Sequence, residues 1–377
     1  MRYRVLVPWG VGALVTALAL WVPVAVMAQA QSGKAATATA AQSGKTAAPT
    51  PNALSGGSAS TALVWDPEAP PPTGWTPPRT PWGDPDLQGY YLNTSYTPLE
   101  RPAALKDKAL YTKEEAIAAF KKAVAQDAEV DPTTIHYDWK EYGMDAWQSP
   151  IRPNRRTSLI VDPPDGRIPP LTAEARKRQA DAAAYERAKG ADVQTPGLYT
   201  RCITGNGGPP RIQGGVSAES QIFQAPGYVV LSIESNYDVR IIPLDGRPHL
   251  ASNVTSWLGD ARGHFEGNTL VVETTNFRPD RNWRGSGAGM NLVERFTLAD
   301  AKTLKYEFTV TDPTTWARPW SAEAPIARIA PPLYEFACHE SNYGLINWAK
   351  GTQIREAEGT AVGGNARAGV FQEEEEK

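Results

Sequence analysis

Cysteine and histidine are scarce in this chain, and their scarcity removes whole classes of chemistry. Two cysteines among 377 residues cannot build a multi-cysteine zinc site. The four histidines, His136, His249, His264 and His339, lie far apart with no His-Glu-x-x-His pattern, so a histidine metal centre could be assembled only by the fold. There is no Gly-x-Ser-x-Gly elbow and no phosphate-cradling loop ahead of a helix. The Gly-rich stretch 205–208 runs into Pro209-Pro210 and precedes strands, which reads as a loop. Basic clusters are missing outside 152–156 and the formal net charge is −3, which argues against a nucleic-acid partner. After residue 30 no apolar run is long enough to cross a bilayer. No cofactor and no metal are expected.

What is present begins at the N-terminus. Arg2 and Arg4 precede an apolar run over about 5–26 that ends in small residues, with cleavage sites after Ala28 or Ala30. This is the layout of a secretory signal peptide over 1–30; a retained membrane anchor is the rival reading. Export implies a periplasmic or secreted protein with no membrane span after cleavage. Residues 31–64 are mostly small and polar and are expected to form a disordered linker. A disordered acidic tail is expected over 352–377, ending in Glu373–Glu376. In an oxidising compartment Cys202 and Cys338 are expected to pair, with two buried free thiols as the alternative. Their loop exceeds 100 residues, worth about 4–5 kcal/mol in the chain-entropy picture.

Two regions remain. Residues 65–200 begin with a Pro-dense strip carrying Trp65, Trp75 and Trp82, which cannot enter a sheet interior and is expected to wrap a body beneath it. Short extended pieces follow at 89–93 and 158–161. Two helices are expected: one starts at a Thr112…Glu115 capping box, the other runs from Thr172 to Gly190. Over 201–351 the apolar period changes to two. Hairpins are expected at 221–224 with 228–234 turning again into 237–244, at 263–266 with 269–277, and at 290–298 with 303–312, with a last strand at 332–338. The fold class is mainly β. It is an antiparallel meander forming a lipocalin-like barrel or a strongly curved sheet, with the Pro/Trp-rich wrap and two or so helices.

The alternation selects candidate site residues. Leu292, Phe296 and Leu298 share a face with Glu294, a carboxylate in costly company unless it is paired or reaches the rim; Arg295 points the other way. His249 and His264, with Asp260 nearby, are candidate general bases or structural histidines. Glu234 and Arg240 cluster with Asp238, where Arg240 could neutralise either acid. His339 and Glu340 follow Cys338 and would be held rigidly by a disulfide. Trp257, Trp316, Arg318 and Trp320 suit stacking on a flat ring or plugging a barrel end.

Several ordered stretches also carry a resemblance. They are Pro85-Asp86-Leu87-Gln88-Gly89 with Thr97-Pro98-Leu99-Glu100-Arg101-Pro102, then 158–166 (SLIVDPPDG), Leu244-Asp245-Gly246-Arg247-Pro248-His249 and 265–274 (FEGNTLVVET). Val293-Glu294-Arg295-Phe296, Asp312-Pro313 and Cys338-His339-Glu340 complete the set. Together they resemble a widespread family of exported bacterial proteins with no assigned function, over about residues 80–345. The resemblance implies domain limits and supplies no catalytic assignment.

These readings converge on an exported protein that binds a small, partly apolar or ring-shaped ligand in a β-barrel pocket. One alternative is a hydrolase, lyase or isomerase using His249 and Glu294, with Asp260 or His264, as acid and base in one cavity. Another is an envelope interaction protein that presents the Pro/Trp strip.

Overall fold

The computed structural model describes residues 64–128, 150–189, 196–205, 209–211, 218–279, 283–330, 332–340 and 342–359. They belong to the unit Leu54–Lys377; residues 1–53 lie outside the described residues. So do the expected signal peptide, the linker up to residue 63, the loop at 206–208, and the tail beyond 359.

Among the described residues ten strands form one antiparallel sheet. They are β1 (Gly89–Leu92), β2 (Ile160–Asp162), β3 (Glu219–Ala225), β4 (Tyr228–Ile233), β5 (Val239–Pro243), β6 (Asp260–Glu266), β7 (Thr269–Thr275), β8 (Asn291–Asp300), β9 (Thr303–Thr311) and β10 (Trp320–Ile329). The order is β5-β4-β3-β1-β10-β9-β8-β7-β6, with β2 added on β10. Two meanders, β3 to β5 and β6 to β10, are thus joined by β1. Tyr90 sits opposite Gln221 on one side and Ile329 on the other.

The sheet curls until its two edges, β5 and β6, lie side by side. It does not close, for no backbone hydrogen bond joins them among the described residues. Strand directions alternate along the path, and the path has an odd number of strands, so β5 and β6 run the same way. This seam is packed by side chains. A Cβ on Gly263 of β6 would lie 2.7 Å from Ile242 Cγ2 and 2.9 Å from Leu244 Cδ2, so only glycine lets the two edges approach so closely.

Period-two alternation sets the interior. Leu292, Phe296 and Leu298 of β8 and Leu304, Tyr306, Phe308 and Val310 of β9 all enter the core. On the neighbouring strand, Ala322 faces Phe308 and Ala324 faces Tyr306, small residues that make room for rings. Each fully buried ring contributes about 1.5–3 kcal/mol of transfer free energy. At one end Trp283 stacks on Trp320 with centroids 5.7 Å apart, while Trp316 and Phe308 meet Trp320 edge-on. The Pro-rich strip crosses the other end. Trp75 Nε1 donates to Leu298 O at 3.5 Å, Arg79 Nη2 to Asn268 Oδ1 at 2.7 Å, and the Leu87 amide to Gln224 Oε1 at 2.6 Å.

The helices α1 (Lys113–Ala128) and α2 (Ala173–Lys189) begin at their sequence signals, and Gly190, the expected C-cap of the second, lies outside the described residues. Glu115 N–H donates to Thr112 Oγ1 and Thr112 N–H to Glu115 Oε2, and the Ala175 amide donates to Thr172 Oγ1. Three expectations are corrected. Residues 332–338 form no strand. The last strand is β10, whose alanines and Pro325 lack the β-branched signature. A third helix, α3 (Tyr343–Ala357), is capped by Asn342 and runs past residue 352, where a tail was expected to begin.

Candidate functional site

The curled sheet brings one polar group into its apolar interior. Arg240 of β5 reaches across to Glu294 of β8 in a two-pronged pair, Nη1 to Oε1 at 3.1 Å and Nη2 to Oε2 at 2.5 Å. Arg240 Nη2 also donates to Thr274 Oγ1 at 3.0 Å, and the Tyr306 hydroxyl donates to Glu294 Oε1 at 2.8 Å. Glu294 is 1% exposed, so it is an inward carboxylate and not a rim residue. Its partner is Arg240, which makes no ion pair with Glu234 or Asp238. Burial, then the charge and hydrogen bond of Glu294, hold the Tyr306 phenol well above its ordinary range, so it remains a donor. Among the described residues Arg240 Nε has no hydrogen-bond partner. A link from β5 to β8 spans the curled sheet, and with the rings above it fills the interior at this level with side chains.

Open space lies instead at the mouth of the seam. A cleft of about 480 Å³ is bounded by the start of β5 (Asp238 to Ile241), the approach to β6 (Ser256 to Ala261), and Ile203 and Thr204. Its rings are Tyr237 and Trp257, the latter backed by the Arg278 guanidinium 4.3 Å from the indole centroid. Gly259 sits there at φ +74°; a Cβ would collide with Thr274 Cγ2 at 2.6 Å and Thr275 O at 2.7 Å. Asp238 accepts from Thr204 Oγ1 at 2.8 Å, the Gly205 amide at 3.0 Å and Arg211 Nη1 at 3.3 Å, which ties Arg211 and the segment ending at Thr204 and Gly205 to the cleft wall. The Cys202–Cys338 disulfide, with Cα atoms 5.8 Å apart, joins that segment to residues 332–340.

The remaining candidates are dispersed. His249 Nδ1 lies 3.0 Å from Asp260 Oδ2, which also accepts the Leu250 amide at 2.9 Å, and Arg262 Nη1 donates to Oδ1 at 2.6 Å. Burial alone would raise the Asp260 pKa; these hydrogen bonds outweigh it and hold the carboxyl below its usual range. His249 Nε2 is 3.9 Å from Glu273, a residue that alternates with the inward-facing Val272 and Thr274. His249 therefore lies outside the sheet and Glu294 inside, which separates them as acid and base. His264 is exposed beside Glu266, which Arg295 also binds. Trp316 and Trp320 are core residues packed at one end of the curled sheet, and Arg318 makes a surface pair with Asp162. His339 and Glu340 are exposed.

A second cleft of about 490 Å³ holds Glu234, together with Tyr237, Tyr334 and Glu335. Residues 333–335 come from a stretch that looked like a strand, so the sequence offered no signal for this cleft. Among the described residues no group of three or more His, Cys, Asp or Glu could hold a metal ion. No protein-family model matches the chain, and no curated protein or solved structure is similar to it.

Proposed function

We propose that this chain is an exported small-molecule binding protein whose ligand, partly apolar and ring-shaped, occupies the cleft at the mouth of the β5–β6 seam. The observation that carries the reading is the lining. Two rings, Tyr237 and Trp257, and two apolar side chains, Val239 and Ile241, stand beside Asp238 and Asp260 in about 480 Å³. That mixture of apolar area and few polar groups is what small organic ligands occupy. Side chains fill the interior of the curled sheet, which favours the cleft beside the seam over an inside pocket. Export is supported by the N-terminal pattern and by the disulfide. Among the described residues no helix is long and apolar enough to cross a membrane.

Neither rival has comparable support. The acid–base pair is divided between two faces of the sheet. Of the strip tryptophans, Trp65 and Trp75 are half-buried and only Trp82 is exposed, which leaves little contact surface for a partner. Mass spectrometry on protein purified under native conditions tests the proposal. A small aromatic or cyclic molecule should accompany the wild-type chain and be lost from Trp257→Ala. A ligand-free wild type, or a ligand retained equally by the variant, refutes it.

A further inference from the structure

The second cleft has an unusual charge balance. Glu234 is 8% exposed, yet among the described residues its carboxylate accepts one hydrogen bond, from the Tyr334 amide, 2.8 Å from Oε2. Among the described residues no Lys, Arg or His pairs with it. Glu219 sits directly opposite on the neighbouring strand, where the Glu234 amide donates to its carbonyl at 2.9 Å and Ser220 pairs with Ile233. Glu335 lies at the cleft's other wall. Neither of these has a cationic partner among the described residues. A nearly buried carboxylate without a counter-charge is costly, and like charges facing each other across a strand pair add to the cost. Burial, and then the Glu234 charge, raise the Glu219 pKa, as a missing counter-ion would.

The rest of the lining says what kind of cation fits. Tyr237 and Tyr334 both line the cleft and are at least half-exposed, and Ile233 and Leu333 add apolar surface. A hard metal ion takes six or more oxygens in a compact shell, which these spread groups do not provide. Rings beside carboxylates suit an ammonium or guanidinium group that carries an apolar body.

We propose that the cleft formed by Glu234, Glu335, Tyr237 and Tyr334 binds an organic cation, with the carboxylates neutralising its charge and the tyrosine rings covering its apolar part. The site is separate from the seam cleft, and Tyr237 is the one residue lining both. Failure here therefore leaves the seam reading standing.

The test uses benzylamine and its neutral counterpart, benzyl alcohol, titrated into the full chain at pH 7 and low salt and followed by calorimetry and by the tyrosine ring signals in NMR. Benzylamine should bind, shift the signals of Tyr237 and Tyr334, and weaken as salt rises. Benzyl alcohol should bind at least about tenfold more weakly. Glu234→Gln, nearly isosteric, should weaken benzylamine by a similar factor. Glu335→Gln, at an exposed position that folding does not depend on, should weaken it in the same direction. Equal affinity for the two probes, no benzylamine binding to the wild type, or unchanged binding in Glu335→Gln would each overturn the proposal.

Discussion

Replacing Glu294 by Gln keeps the side chain's volume and removes its charge, leaving Arg240 buried without a counter-ion. The side chains of the pair are 4% and 2% exposed, so water cannot take over the missing role. Removing one partner of such a pair costs about 3–5 kcal/mol. Tyr306 and Thr274 remain, but both are neutral and Tyr306 is a donor, so neither compensates a guanidinium. The same cost is expected for Arg240→Met, which strands Glu294 among rings. The double variant Arg240→Met/Glu294→Gln removes both charges and should be far more stable than the sum of the singles implies, because what is lost is chiefly the penalty for a lone charge. Urea unfolding of the wild type, both singles and the double closes the cycle. Singles costing under about 1 kcal/mol, or strictly additive effects, would show that the pair does not hold β5 against β8.

Other expectations follow from the same geometry. Gly263→Val should destabilise by about 1–3 kcal/mol in thermal unfolding, since its side chain would push Ile242 and Leu244 away and part the seam. Glu219→Gln should stabilise the protein at pH 7 by less than about 1 kcal/mol, because the group is partly exposed. The folded-state pKa of Glu219 lies above its ordinary 4.5, so its ionised form costs stability as pH rises through that window; the variant's gain should vanish below about pH 4, as melting curves across pH would show. Reducing the Cys202–Cys338 bond, whose partners are 136 residues apart, should cost about 5 kcal/mol of loop-closure entropy, read as a fall in the urea midpoint on adding a dithiol.

Much of the sheet was legible because burial on one face writes itself as alternation. Leu304, Tyr306, Phe308 and Val310 announce β9 and its inner face, and Glu294 in the same pattern announces a carboxylate needing help. The partner was not legible, since Arg240 lies on the opposite edge and meets Glu294 only when the sheet curls. β10 was missed for a packing reason: Ala322 and Ala324 are small to accommodate Phe308 and Tyr306, and alanine carries no strand signal. Residues 332–338 misled in the other direction, because alternation there reflects packing of an irregular segment around the β4–β5 turn. Ala337 N–H donates to the Tyr237 hydroxyl at 3.4 Å, an arrangement with no period of its own. His249 illustrates a further limit, for a turn motif names the residue but not the side of the sheet to which the turn delivers it.

The placement of β1 has a consequence for how the chain acquires its shape. This four-residue strand is synthesised before either meander, yet it hydrogen-bonds to both, so its two neighbours are drawn from far downstream. Each meander can zip from local turns, but they can merge into one sheet only after the early segment has waited, unpaired, for the last strand to emerge. Search over such distances slows assembly and leaves edges open to intermolecular pairing meanwhile. A chain that must finish this way gains from being kept extended until all of it has arrived, as passage through a translocation channel would do.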